Sequence, residues 1–181
     1  MKGVIFVKLS EFIEQTWGEE FWDELLEESN PPSGGAYTTV STYDDQELFD
    51  IVTLITEKKQ LTMAQAQQAF GQWLFKELLN SAPGHAVTTT DTFAWLRAVQ
   101  DVIHVEVLKL NPDSILPEFT FLEQTENTMH LQYESPRPLC FLCEGLIQGL
   151  AQHNGESVTT KQTECIHEQG ERCVIEVTKL T

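Results

Sequence analysis

Apolar positions Ile5, Leu9, Phe12, Ile13 and Trp17 recur at helical spacing and predict a helix over 3–17, with Gly18 as its stop. A short second helix carries Phe21, Trp22, Leu25 and Leu26 on one face, and the run Ser29 to Gly35 reads as a loop. Asp44 or Asp45 is placed to cap a helix bearing Leu48, Ile51, Val52 and Ile55. Thr62 is placed to cap another, running through Ala66, Phe70, Trp73, Leu74 and Leu78, and Pro83-Gly84 then breaks the chain. Asp91 or Thr92 opens a long helix through Phe93, Leu96, Val99, Ile103, Val107 and Leu110, closed by Asn111-Pro112.

After Pro117 the period changes. Phe119 and Phe121, then Met129, Leu131 and Tyr133, alternate with polar residues and predict two strands joined at Glu126-Asn127. A helix is expected over 141–153, followed by strands from Val158 to Ile166 and from Cys173 to Leu180 around a turn containing Gly170. Helices first and strands second imply an α+β fold, with a helical part over 1–112 and an antiparallel, strand-rich part over 113–181. No internal repeat, low-complexity tract or flexible linker interrupts it, so 1–181 is expected to be one domain.

The chain has 181 residues, and at that length folding buries about 70% of the unfolded surface, enough for a core without disulfides or metal. Twenty-eight acidic residues against 11 basic ones give a formal charge of −17, while ten Phe and four Trp argue against disorder. That acidity excludes unaided binding to nucleic acid or to anionic membrane, both of which need clustered Lys and Arg. The first eight residues hold only five apolar ones before Lys8, too few for a signal-peptide core, and no later stretch could span a bilayer. A soluble cytoplasmic protein is expected, with its four cysteines as thiols or metal ligands rather than disulfides.

Two features carry chemistry. His104 sits among Ile103, Val107 and Leu108, which suits either a core histidine satisfied by backbone or water or a ligand to a metal or haem iron. Tyr133, Ser135 and Arg137 stand at i, i+2 and i+4; on an extended segment a phenol, an alcohol and a guanidinium would face one side and suit carboxylates. The same pattern also fits an amphipathic strand end with a surface arginine.

Both features fit one family. With the Met1-Lys2-Gly3 start, Ala69-Phe70-Gly71, Asp101 to Val107, Leu116-Pro117, Tyr133-x-Ser135-x-Arg137 and Glu144-Gly145-Leu146, the chain resembles an H-NOX domain over essentially its whole length. This is the haem nitric oxide/oxygen-binding fold shared with the haem domain of soluble guanylate cyclase. The resemblance implies a sensor rather than an enzyme, holding b-type haem. By position, His104 matches the proximal iron ligand, Tyr133, Ser135 and Arg137 match the propionate-binding motif, and Pro117 matches the proline that packs on the haem and holds it out of plane. Ile5, Leu9, Leu74, Leu142 and Leu146 fall at pocket positions. No C-x-x-C-H site for covalent haem is present.

In oxygen-binding members a distal tyrosine donates to bound O₂; that position here is Leu142, and the supporting polar positions are Leu9 and Leu74. Without a donor, NO and CO are the expected ligands and no stable O₂ complex is expected. The family cycle implies that NO weakens the iron–His104 bond, that the haem flattens against Pro117, and that the histidine helix shifts to signal a partner. Partners of stand-alone members are histidine kinases or cyclic di-GMP enzymes. With the chain ending soon after the domain, a monomer acting on a partner in trans is expected. Some members also resemble this chain in three cysteines, here Cys140, Cys165 and Cys173, which with a histidine hold zinc. The histidine position is Gln162 here, leaving His167 or Cys143 as substitutes, an incomplete site, or reduced thiols without metal.

Two other classes stay open. A haem-free small-molecule-binding regulatory domain of vinyl-reductase-like type would share Glu144-Gly145-Leu146, Cys165 and Cys173. A haem peroxidase would need a distal acid–base histidine or arginine, for which no candidate is evident. The acidic surface either keeps the chain soluble or meets a basic patch on a partner.

Overall fold

The computed structural model describes residues 1–81 and 89–180; the break expected at Pro83-Gly84 lies outside them. Two compact units divide at Phe70/Gly71, so the change of character near residue 112 falls inside the second unit.

The first unit, Met1–Phe70, holds helices α1 (Gly3–Trp17), α2 (Glu19–Ser29) and α3 (Asp45–Lys59) and the start of α4 (Met63–Ser81). Gly18 ends α1 at φ 96°, a conformation that disfavours side chains. Asp44, rather than Asp45, caps α3, its side chain accepting from the Gln46 N–H. Thr62 and Gln65 form a reciprocal capping box at the start of α4. Phe6, Leu9, Ile13, Leu25 and Ile51 are almost fully buried, which fits the apolar stripes read from the sequence. The loop after α2 is anchored by Tyr37, stacked on Phe6 at 4.4 Å and donating its hydroxyl to buried Glu47 at 2.9 Å. Burial and the neighbouring carboxylate push the Tyr37 phenol up to about 12.

The second unit, Gly71–Thr181, holds the rest of α4 with α5 (Thr92–Ala98), α6 (His104–Leu110), β1 (Glu118–Gln124), β2 (Thr128–Glu134), α7 (Cys140–His153), β3 (Val158–Glu164) and β4 (Cys173–Lys179). The strands form one antiparallel sheet in the order β1-β2-β4-β3. Met129, Leu131 and Tyr133 pair with Val177, Ile175 and Cys173, so one face of the sheet is buried. Helix α7 lies on that face, where Gln148 and Glu144 bond Thr160 and Gln162 of β3.

Two expectations change. The long helix predicted from Asp91 is interrupted by a π-helical turn at Val99–Ile103, so His104 opens a separate helix. Ile166 leaves its strand for a short 3₁₀ turn at Ile166–Glu168. No helix among the described residues is long and apolar enough to cross a membrane.

Candidate functional site

His104 follows directly on the π-helical turn, a local widening that recurs at functional positions. Its ring packs on Phe119 of β1 at 5.4 Å, and Phe119 in turn lies 6.2 Å from Tyr133. Within the turn, Gln100 accepts the Phe119 backbone N–H at 3.1 Å, tying the histidine segment to β1. Burial alone lowers the His104 pKa, which favours the neutral imidazole that ligates metals. Its Nδ1 is buried with no hydrogen-bond partner. A buried polar atom left unsatisfied costs about 1–3 kcal/mol, and no protein group among the described residues bonds this one.

Tyr133, Ser135 and Arg137 do come together, although not along one extended strand. β2 ends at Glu134, and the chain bends at Pro136-Arg137. Tyr133 donates its hydroxyl to the Arg137 carbonyl at 3.3 Å, and the Arg137 N–H donates to Ser135 Oγ at 3.1 Å. The proline drives the bend, since it cannot continue the ladder. Burial raises the Tyr133 pKa, so the phenol stays a donor. Arg137 Nη1 donates to the Ile115 carbonyl at 2.9 Å and so joins this turn to the loop holding half-buried Pro117. The described donors are a phenol, an alcohol and a guanidinium, a set that suits carboxylates.

The expected pocket residues lie in both units. In the first, Leu9 is buried and Ile5 half-buried, both on α1. In the second, Leu74 on α4 is buried, and Leu142 and Leu146 on α7 are half-buried. Close approach of α4 and α7 requires glycine twice: a Cβ on Gly71 would stand 2.4 Å from the Leu142 carbonyl oxygen, and one on Gly149 2.7 Å from the Gln72 carbonyl oxygen. These side chains present no hydroxyl or amide.

Cys140, Cys165 and Cys173 also converge, all buried, with their sulfurs within 4.8 Å of one another. The two substitutes named for the fourth zinc ligand do not join them. His167 is exposed, its ring stacked on Phe141 at 5.2 Å and its Nε2 3.1 Å from the Pro138 carbonyl. Cys143 is buried but lies outside the cluster. Sequence reasoning missed Gln100 and the Gln162–Glu144 pair; a polar residue inside an apolar period is the only signal either left.

The described residues thus set a buried, unpartnered His104 Nδ1 and a turn of phenol, alcohol and guanidinium in the same unit. The family model for Haem-NO-binding matches residues 2–162, and the chain belongs to this family, the H-NOX domains. As a member it is a sensor domain and not an enzyme, of a family that binds haem. It is similar to a solved H-NOX protein from Shewanella oneidensis in the Fe(II)NO ligation state, with 31% identity, all of both chains covered and a TM-score of 0.91. An unliganded Fe(II) H-NOX protein from K. algicida has 27% identity and a TM-score of 0.91, covering 100% of this chain and 97% of that one. An H-NOX from Shewanella woodyi in the Fe(II)CO state has 35% identity and a TM-score of 0.81, covering 99% and 95%. No curated protein matches.

Proposed function

We propose that this chain is a haem-based sensor of nitric oxide that regulates a partner signalling protein, a histidine kinase or a cyclic di-GMP enzyme. The observation that carries the reading is the buried, unpartnered ring nitrogen of His104. When bound, b-type haem supplies a ferrous iron able to take a diatomic gas. His104 would hold that iron, and Tyr133, Ser135 and Arg137 would hold the propionates.

The remaining parts are the chain's own. Leu9, Leu74 and Leu142 offer no hydrogen-bond donor, which disfavours O₂ relative to NO and CO. The similar S. oneidensis protein is known in both the Fe(II)NO and Fe(II)CO states, which supports the same ligands here. His104 would tie α6 to the bound group, and the Gln100–Phe119 bond and His104–Phe119 packing would pass a change at that ring to β1. Such a shift signals only if NO binds the two conformations with different affinity.

The test is reconstitution of haem-free protein with ferrous haem, beside His104→Gly. The wild type is expected to give a five-coordinate ferrous spectrum. The variant is expected to lose it and to regain it with added imidazole. A wild type that stays colourless would favour the haem-free regulatory reading, and a variant with an unchanged spectrum would remove His104 from the iron.

A further inference from the structure

The cysteine cluster differs from a zinc centre in its fourth position and in its charge. Three elements build it. Cys140 opens α7, Cys165 ends the segment after β3, and Cys173 opens β4. The Cys140 and Cys165 sulfurs are 3.8 Å apart, and the three residues are 0%, 3% and 2% exposed. The turn between Cys165 and Cys173 closes on the Cys165 carbonyl, which accepts from Glu168 and Gly170 N–H at 2.9 and 2.8 Å. That closure fixes the backbone of the turn that follows Cys165.

Among the described residues no fourth Cys, His, Asp or Glu completes the group. At the position where the resemblance implies a histidine ligand, this chain has Gln162. Its amide nitrogen donates to Glu144 at 2.7 Å, and its Oε1 is left buried without a partner. An amide oxygen is not among the sulfur, imidazole and carboxylate ligands that zinc takes in structural sites.

Charge points the same way. Three thiolates around a divalent ion leave a net negative centre. The three side chains around it are almost fully buried, so water does not screen that charge. A buried, uncompensated anion is disfavoured. Three thiolates around a trivalent centre are neutral.

We propose that Cys140, Cys165 and Cys173 form a three-sulfur site for a trivalent, thiophilic metalloid of the arsenite class. Binding forms three As–S bonds and breaks the three As–O bonds of arsenous acid. Each thiol proton leaves with a hydroxide as water, three waters in all, and arsenic stays trivalent. Cys173 pairs with Tyr133 across β2 and β4, and Cys140 follows Arg137 by three residues, so the adduct would brace the turn that holds Tyr133, Ser135 and Arg137.

The experiment adds one equivalent of arsenite, or of zinc, to reduced, haem-loaded protein, then applies native mass spectrometry and arsenic-edge absorption. One arsenic is expected, with the mass gain of arsenic less three hydrogens and a three-sulfur shell. Cys140→Ser, Cys165→Ser and Cys173→Ser should each weaken retention about tenfold or more, and Cys143→Ser should leave it unchanged. An unaltered ferrous haem spectrum identifies the variants that fold. If a single-cysteine variant misfolds, the absorption shell of the wild type still decides. Stoichiometric zinc that arsenite cannot displace, a shell with fewer than three sulfurs, or loss of binding in folded Cys143→Ser would overturn the proposal.

Discussion

At His104 a ring nitrogen lies buried with no hydrogen-bond partner, where a leucine would pack without that cost. A residue kept for folding alone would not be expected there. In haem-free protein, His104→Leu should therefore raise stability by about 1 kcal/mol, seen as a higher urea midpoint. In haem-loaded protein the same change should abolish iron ligation. A structural histidine would lower the midpoint when replaced. The resemblance to H-NOX domains already selected this residue, but composition and spacing could not choose between a core ring and a ligand. The surroundings add one observation, that no described protein group bonds the buried ring nitrogen.

Elements were legible where a local rule decides them. Gly18, Asp44, Thr62 and Asp91 mark helix ends through side-chain or backbone chemistry that acts within a few residues. The π-helical turn was not legible, because Val99 and Ile103 keep an apolar pattern that an α-helix also satisfies. The bend at Pro136-Arg137 and the Glu144–Gln162 pair were equally hidden: one depends on where pairing stops, the other on residues brought together by the fold. Helix contact at Gly149 gives a sharp consequence. Gly149→Ala places a methyl against the backbone of α4 and the Phe75 side chain, and should cost about 1–3 kcal/mol by urea unfolding.

A second consequence concerns the ends of α5, α7 and β4. Lys179 bonds both Asp91, the cap of α5, and Glu156. The Lys179 ammonium lowers the Asp91 pKa. Burial pushes Glu156 up, but hydrogen bonds from Thr92 and Lys179 outweigh it and leave it lowered. The folded chain therefore binds fewer protons than the unfolded chain, and stability must fall as pH drops through the carboxylate range near ~4. Lys179→Met should flatten that loss between pH 6 and pH 3, measured as the shift in urea midpoint. An unchanged slope would mean that the pair is screened by solvent.

Over the whole molecule the charge is −17 with only 11 basic residues, one of which, Arg137, joins the turn after β2 to the Ile115 carbonyl. The acidic surface is compatible with a basic partner. The described residues form the α+β architecture, and the family model matches residues 2–162. The most direct measurement is the visible spectrum of the ferrous protein, first in air and then with NO. The account predicts an unliganded five-coordinate spectrum that air does not convert to an oxy complex and that NO changes at once; a stable oxy spectrum, or no response to NO, would contradict it.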